Sequence, residues 1–293
     1  VQIRRPPWLK VQATWGEEYR RVKSLLAESN LHTVCEEANC PNLCHCFEKG
    51  TATFLILGDI CTRGCAFCDV KRGAPLPADE DEPKRVAEAV RELKLRYAVI
   101  TSVTRDDLDD GGASIFARTI REIRSSIPDC RVEVLIPDFG GSLEPLREVL
   151  DAKPDVLNHN LETVERLYPK VRKGADYKKS LELIQNVRKI DGSMLSKSGM
   201  MLGLGEKREE IIELMRDLRN VDCNLLTIGQ YLSPSKDHLP IRKFYHPEEF
   251  AELKSMGENM GFAHVESGPL VRSSYHAKDQ VECLKQSLKC KVE

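Results

Sequence analysis

Two dense groups of thiols stand close together in this chain. "VCEEANCPNLCHC" places Cys35, Cys40, Cys44 and Cys46 within a dozen residues, and "CTRGCAFC" follows with Cys61, Cys65 and Cys68. Seven of the 11 cysteines therefore fall between residues 35 and 68, with no secretory leader in front of them. A disulfide framework would be spread through a small secreted chain, whereas clustered thiols in a reducing compartment point to metal. The second group has the spacing C-x3-C-x2-C. Three thiolates in one short loop can hold three corners of a 4Fe–4S cubane and leave the fourth iron open. Structural zinc is the alternative, but it prefers four ligands as paired C-x2-C knuckles, and no partner pair lies at a suitable distance. Burial as ordinary core fits poorly, because Thr62, Arg63 and Gly64 interrupt any apolar pattern. The first group, C-x4-C-x5-C if Cys44 is set aside, is uncommon for zinc and does not fit a C-x-x-C redox pair.

Something must position those loops. Apolar runs at 51–57 ("TATFLIL"), 97–103, 131–136, 155–157, 198–202 and 225–228 read as buried strands. Between them, Val86, Ala89 or Val90 and Leu93 share one helical face, as do Phe116, Ile120, Ile123 and Ile127, and Phe250, Leu253, Met256 and Met260. The acidic run 79–82 before Pro83 marks a helix start. Six strand–helix units predict an α/β fold whose parallel sheet curls into a partial (β/α)6 barrel over residues 51–261, with an N-terminal extension (1–50) and a C-terminal extension (262–293). Ligands of such folds bind at the carboxyl ends of the strands, and "CTRGCAFC" follows the first strand directly.

Composition narrows the function classes. A chain of 293 residues that is 41% hydrophobic and 31% charged is an ordinary globular protein. A formal charge of −2 without a long basic run argues against nucleic acid as a partner. The longest apolar runs fall far short of the roughly 18–20 residues of a membrane helix, so no membrane partner is expected. The start, "VQIRRPPWLKVQ", lacks the apolar core of a signal peptide. A cytoplasmic location is expected, or an organelle matrix if a leader has been removed.

C-x3-C-x-F-C at the end of a first barrel strand resembles the signature of the radical S-adenosylmethionine (SAM) superfamily. The resemblance implies that Cys61, Cys65 and Cys68 hold a cluster whose open iron chelates SAM, and that SAM cleavage yields a radical able to take hydrogen from an unactivated C–H bond. "NHNLET" (158–163) resembles the ribose-binding segment of the biotin synthase branch, which implies that Asn160 and Glu162 contact SAM. Arg172 matches a basic residue expected to meet the SAM carboxylate, and "GLGE" (203–206) resembles a glycine-bearing strand end near adenine. Read without the resemblance, Asn160 is a helix cap, Arg172 solvated surface and "GLGE" a tight turn. "TRDDLDDGG" (104–112) also lies after a strand; it lacks the EF-hand spacing, and capping accounts for Asp109 and Asp110.

"PPWLK", "LHTVCEEANCPN", "GDICTRGCAFC", "TSVTRDDLDDGG", "HNLET", "MLGLGE", "LTIGQYLSPS" and "GPLVRSSYHA" together resemble the lipoyl synthases, in that family's order. The resemblance implies a sulfurtransferase that inserts sulfur at C6 and C8 of a protein-bound octanoyl-lysine to form the lipoyl cofactor. It further implies that Cys35, Cys40, Cys46 and Ser274 hold an auxiliary 4Fe–4S cluster, the sulfur donor, and that Arg272 shields that cluster or orients its loop. Cys44 departs from the family pattern and is expected to be a spectator, as is His45. The implied partners are octanoylated carrier domains (the 2-oxoacid dehydrogenase E2 component, the glycine cleavage H protein), a small electron donor such as ferredoxin or flavodoxin, and an iron–sulfur carrier for cluster repair. Biotin synthase and methylthiotransferases are the neighbouring sulfur-inserting alternatives; the upstream cysteine motif and "RSSY" stand against biotin synthase. An electron carrier or a zinc protein are the readings from other classes. Cys130, Cys223, Cys283 and Cys290 stand apart from both groups, and Cys223 beside a strand is expected to be a small buried hydrophobe.

Overall fold

The computed structural model describes residues 4–11 and 15–280, so Cys283 and Cys290 lie outside the described residues. In chain order the named elements are α1 (Glu17–Glu28), β1 (His32–Thr33), α2 (Val34–Glu37), α3 (Leu43–Glu48), β2 (Thr53–Ile56), β3 (Ile60–Cys61), β4 (Lys71–Arg72), α4 (Glu82–Glu92), β5 (Tyr97–Ser102), α5 (Ala113–Ser126), β6 (Arg131–Leu135), α6 (Leu143–Asp151), β7 (Val156–Asn158), α7 (Tyr168–Val171), α8 (Tyr177–Ile190), β8 (Leu195–Leu202), α9 (Arg208–Asn220), β9 (Leu225–Gln230), α10 (Pro247–Asn259) and β10 (His264–Gly268).

One sheet runs β1-β2-β5-β6-β7-β8-β9-β10. Every pairing from β2 to β10 is parallel, and β1 is antiparallel to β2. The six expected strands are all present as β2 and β5–β9. Their continuous apolar runs follow from burial on both faces, against helices outside and the barrel interior inside. Ile56, Ile100, Val132, Val134, Leu226 and Ile228 have almost no exposed surface. The expected helix faces are likewise turned inward, with Val86, Val90, Phe116, Ile120, Ile123, Phe250 and Leu253 buried. Among the described residues no helix is long and apolar enough to cross a membrane.

Two strands escape sequence patterning. β10 adds a seventh parallel strand beside β9, although only Val265 of its five residues is a buried hydrophobe. β1 is two residues long, but it docks the N-terminal segment on β2 by pairing His32 with Leu55 and Thr33 with Phe54. Behind it α1 packs on α3, with the Tyr19 and Phe47 rings 5.6 Å apart. The first cysteine motif therefore sits at one edge of the sheet.

Leu57 leaves β2 at φ 70°, a left-handed turn that a branched side chain adopts only when its surroundings hold it there. The buried Glu82 carboxylate supplies that hold by accepting from the Leu57 N–H at 2.7 Å. The turn sends the chain straight into the second cysteine motif.

Candidate iron–sulfur and SAM site

The second motif is a loop closed at its base. β3 and β4 pair across it, and the Gly73 N–H donates to the Cys61 carbonyl at 3.1 Å. Thr62 fastens the loop to the end of β5 twice, donating from its N–H and its hydroxyl to the Thr104 carbonyl. Arg63 fastens it again. Its Nε and Nη2 meet the two Asp106 oxygens at 2.7 Å, and its Nη1 and Nη2 meet those of Asp138 at 2.6 and 2.7 Å. Asp106 follows β5 and Asp138 follows β6, so one guanidinium locks the loop against two strand ends through forked ion pairs. On the other side, His238 Nε2 lies 3.1 Å from the Cys68 carbonyl, and the Ala66 N–H donates to Val171.

Cys61, Cys65 and Cys68 lie close enough to act on one another's charge. Burial raises Cys65, with Arg172 pulling the other way. Burial also pushes Cys68 up to about 12, against a hydrogen bond from Val70. The first motif behaves alike. Cys35 is raised by burial and by Cys40, and Cys46 is pushed up to about 11 by burial and then by Cys40. Thiols with such values sit protonated in a site short of positive charge, which bound iron would supply while displacing the protons. Among the described residues, no three His, Cys, Asp or Glu side chains converge on a single metal ion. A cubane needs no such convergence, since each thiolate takes its own iron. The donors on offer are thiols, the ligand type that iron–sulfur clusters take.

Cys44 is separated from Cys46 by helix phase. Both lie on α3, and two residues along an α-helix differ by about 200° in direction. Cys44 packs against the core, and it is absent from the interactions that tie Cys35, Cys40 and Cys46. His45 sits by the Tyr275 ring, centroids 6.3 Å apart.

Past β7 the chain brings Asn160, Glu162 and Arg172 together. Asn160 Nδ2 donates to Glu162 Oε1 at 2.9 Å, and Arg172 Nη1 donates to the Asn160 carbonyl at 2.8 Å. Glu162 sits at φ 65°, pinned to β8 by donating to Gly199 O and accepting from the Met201 N–H. Enclosure raises its carboxyl against the pull of Arg172, Asn160 and Arg272. Arg172 is buried rather than solvated; it donates to Tyr168 Oη at 2.9 Å, and its charge reaches Cys65. Asn160 Oδ1 and Arg172 Nε are buried without any partner. Such groups carry a desolvation cost that a polar ligand would relieve. "GLGE" is a tight turn closed by Glu206, which accepts from the Gly203 and Leu204 N–H groups. In "TRDDLDDGG", Asp110 caps α5 by accepting from Gly112 and Ser114, whereas Asp109 is exposed.

The C-terminal segment after β10 runs between the two thiol groups. Asn42 of the first motif donates to the Leu270 carbonyl at 2.7 Å. The Val271 carbonyl rests on Gly229 of β9, where an added Cβ would fall 2.1 Å from its oxygen. Arg272 acts electrostatically on Cys40 on one side and Glu162 on the other. Ser273 accepts from Asn160 Nδ2 at 2.6 Å, and Ser274 accepts from Thr53 Oγ1 at 2.8 Å. Thr53 also lies beside Cys35 and favours its ionised thiol. Sequence reasoning missed Arg63, Asp106, Asp138, Asn42, Thr53, Gly229 and Ser273. It also missed Ser102, whose buried hydroxyl at the end of β5 has no partner. Arg63 and Asn42 lie inside the cysteine motifs, Asp106 inside "TRDDLDDGG", Gly229 inside "LTIGQYLSPS" and Ser273 inside "RSSY", which were the available signals; what each of them touches depends on contacts between distant segments.

Comparison with known proteins agrees with this layout. The radical SAM superfamily matches residues 55–218, and the N-terminal domain of lipoyl synthase matches residues 1–40. The chain is 56% identical to the lipoyl synthase of Rubrobacter xylanophilus over 95% of its own length and 87% of that protein. It is 55% identical to that of Caldanaerobacter subterraneus, over 94% of this chain and 97% of the relative. Identity to that of Chloroflexus aurantiacus is 57%, over 94% and 90%. Among solved structures, methylornithine synthase (PylB) superposes with TM-score 0.54 at 14% identity, covering 69% of this chain and 60% of that one. HydG, a maturase of the FeFe-hydrogenase, gives 0.55 at 15%, covering 72% and 49%. These two share the fold.

Proposed function

The chain belongs to the lipoyl synthase family of the radical SAM superfamily, and from that membership we propose how its own residues carry the family's reaction. It is a sulfurtransferase that converts an octanoyl chain on the lysine of a carrier domain into lipoyl by inserting two sulfur atoms, at C6 and C8. Its cofactors are two 4Fe–4S clusters and SAM. Together these supply the hydrogen-abstracting power and the sulfur that no side chain of the protein could provide.

In our reading, Cys61, Cys65 and Cys68 hold the SAM-binding cluster and leave one iron free for SAM. Arg63, Thr62 and the β3–β4 pair keep that loop from moving when the site fills. Asn160 Oδ1 accepts from a ribose hydroxyl, Glu162 takes the adjoining one, and Arg172 faces the carboxylate end. The unpartnered Asn160 Oδ1 and Arg172 Nε support this assignment.

Cys35, Cys40 and Cys46 hold the auxiliary cluster, with Ser274 as the fourth ligand. Thr53 touches both Ser274 and Cys35, which supports that set. A hydroxyl ligand is harder and less suited to iron than a thiolate, so Ser274 would be the most readily released of the four when the cluster is bound. Arg272 stands between the sites, where its charge offsets that of the thiolates and of Glu162.

The observation that carries this reading is the path of the C-terminal segment, whose successive serines reach the SAM-side Asn160 and the auxiliary-side Thr53. The residue boundaries proposed for the parts are 1–50, 51–261 and 262–293. A reducing cytoplasm suits the seven clustered thiols. Electrons come from a small reduced carrier such as ferredoxin or flavodoxin, and an iron–sulfur carrier restores the spent cluster. The carriers served are the 2-oxoacid dehydrogenase E2 component and the glycine cleavage H protein. The test is turnover on an octanoyl-lysyl peptide with SAM and a reductant. Lipoyl product is expected, and its absence from protein with both clusters intact overturns the proposal.

A further inference from the structure

Ser273 and Ser274 are neighbours in sequence but serve opposite sites. The Ser274 hydroxyl accepts from Thr53, which lies beside Cys35. The Ser273 hydroxyl instead accepts from Asn160 Nδ2 at 2.6 Å, from a residue 113 positions away. Asn160 is buried, at 6% exposure, so this hydrogen bond works with little competition from water.

The orientation of the Asn160 amide is fixed by its second contact. Its Nδ2 also donates to the Glu162 carboxylate, which can only accept when ionised. Both amide protons are therefore spent, one on Glu162 and one on Ser273. The Oδ1 at the other end is buried and without a partner. The two donor contacts hold the amide in this orientation. A Cβ at Gly199 would come 2.9 Å from this oxygen, so the chain keeps that place free of side chain. One planar amide thus offers an acceptor to the SAM side while its donors hold the C-terminal segment.

We propose that Ser273 is a positioning residue that couples the two cluster sites: a ligand hydroxyl on Asn160 Oδ1 orders the amide, the amide holds Ser273, and Ser273 holds its neighbour Ser274 in place on the auxiliary side. This rests on the reading of Asn160 as a SAM contact. The coupling is reciprocal, since any free energy by which SAM steadies the segment returns as tighter SAM binding. The Val271 carbonyl on Gly229 seats the segment and Arg272 reaches Glu162 by charge, while Ser273 is its hydrogen-bonded link to Asn160.

The test uses the protein with both clusters loaded, oxidised and without reductant, so that SAM binds and is not turned over. Iron release to a chelator is followed with and without SAM, and SAM affinity is measured by equilibrium dialysis. The auxiliary phase of release is identified by its absence from Cys35→Ala protein. SAM is expected to slow that phase about fivefold, the low end of usual coupling between sites. Ser273→Ala should abolish the slowing and weaken SAM binding by a similar factor, and Ser273→Thr, which keeps the hydroxyl, should restore both. Ser273→Gly removes the hydroxyl without added bulk and serves if the alanine protein does not load. Equal SAM protection in native protein and in the hydroxyl-free variants overturns the coupling. SAM that fails to bind the loaded native protein overturns the SAM reading of Asn160 itself, a separate result.

Discussion

Thr53 Oγ1 donates to Ser274 Oγ across 2.8 Å, joining the first residue of β2 to a segment 221 positions later. The same threonine lies beside Cys35 and favours its ionised thiol, so one residue of the barrel edge stands next to a thiol from the N-terminal segment and a hydroxyl from the C-terminal one. The barrel edge is the scaffold on which two distant pieces of chain complete a single donor set.

The Thr53 hydroxyl should therefore matter to the auxiliary site and not to the other. Thr53→Val removes the donor while keeping the branched shape. A lost hydrogen bond of about 1 kcal/mol corresponds to roughly a fivefold change in equilibrium. Chelator should accordingly remove auxiliary iron several-fold faster from the variant, with SAM cleavage unchanged. Equal release from both proteins would mean that Thr53 does not hold Ser274 in the loaded state.

The two thiol triads should separate cleanly in their products. Cys61→Ala should abolish formation of 5′-deoxyadenosine. Cys35→Ala should retain part of it while giving no lipoyl product, because the loop bearing Cys61 is fastened through β3–β4, Thr62 and Arg63 independently of the first motif. Chromatography of both products from one reaction decides this. Equal loss of cleavage in two well-folded variants would show that the sites do not divide the work.

Cys44→Ser should leave both activities near native. α3 turns Cys44 away from Cys46, and the side chain packs into the hydrophobic core. The cost of the substitution is in packing, about 1 kcal/mol or less of stability. Iron content reduced by half in Cys44→Ser would instead make it a ligand.

Much of this was legible in the sequence, for a physical reason. Parallel strands buried on both faces produce continuous apolar runs, and β2 and β5–β9 were all visible as such. Cysteine motifs are local, so their spacing survives in one dimension. Long-range relations do not survive that reading. β10 pairs fully with β9, yet it carries a single buried apolar residue and leaves no pattern. Asp106 stood inside "TRDDLDDGG" and Asp138 in an unmarked loop, but neither could be paired with Arg63, 43 and 75 positions away, until the fold brought them together. Cys44 was set aside as a departure from the family pattern, and the helical phase of α3, invisible in the spacing, adds that it points away from Cys46.

Gly229→Ala tests how the C-terminal segment is seated. The new Cβ would fall 2.1 Å from the Val271 carbonyl oxygen, which is backbone and cannot swing aside as a side-chain tip would. The segment must lift, carrying Ser273 and Ser274 with it. Native stability is expected to fall by about 1–3 kcal/mol, the usual cost of overpacking. Lipoyl formation should fall far more than deoxyadenosine formation. Parallel loss of the two products would place the damage in the barrel itself.

The Arg63–Asp138 pair gives a pH signature. Burial alone would raise the Asp138 carboxyl, but the hydrogen bonds and charge of Arg63 overcome it and hold the group at about 2, below its ordinary 3.8. The folded state therefore binds fewer protons here than the unfolded chain. The resulting stabilisation is complete above the ordinary value and is lost as pH falls toward 2. A depression of this size corresponds to about 2 kcal/mol at neutral pH. Asp138 is almost fully buried, so solvent screens the pair little. Arg63→Gln should be less stable than native apoprotein by at least that amount at pH 7, because burial then raises the Asp138 carboxyl unopposed, and the gap should close as pH falls through that raised value toward 2. Denaturant unfolding across that range measures it. A gap that stays constant with pH would trace the loss to the packing of the Arg63 side chain, and the loop would then be held by Thr62 and the β3–β4 pair alone.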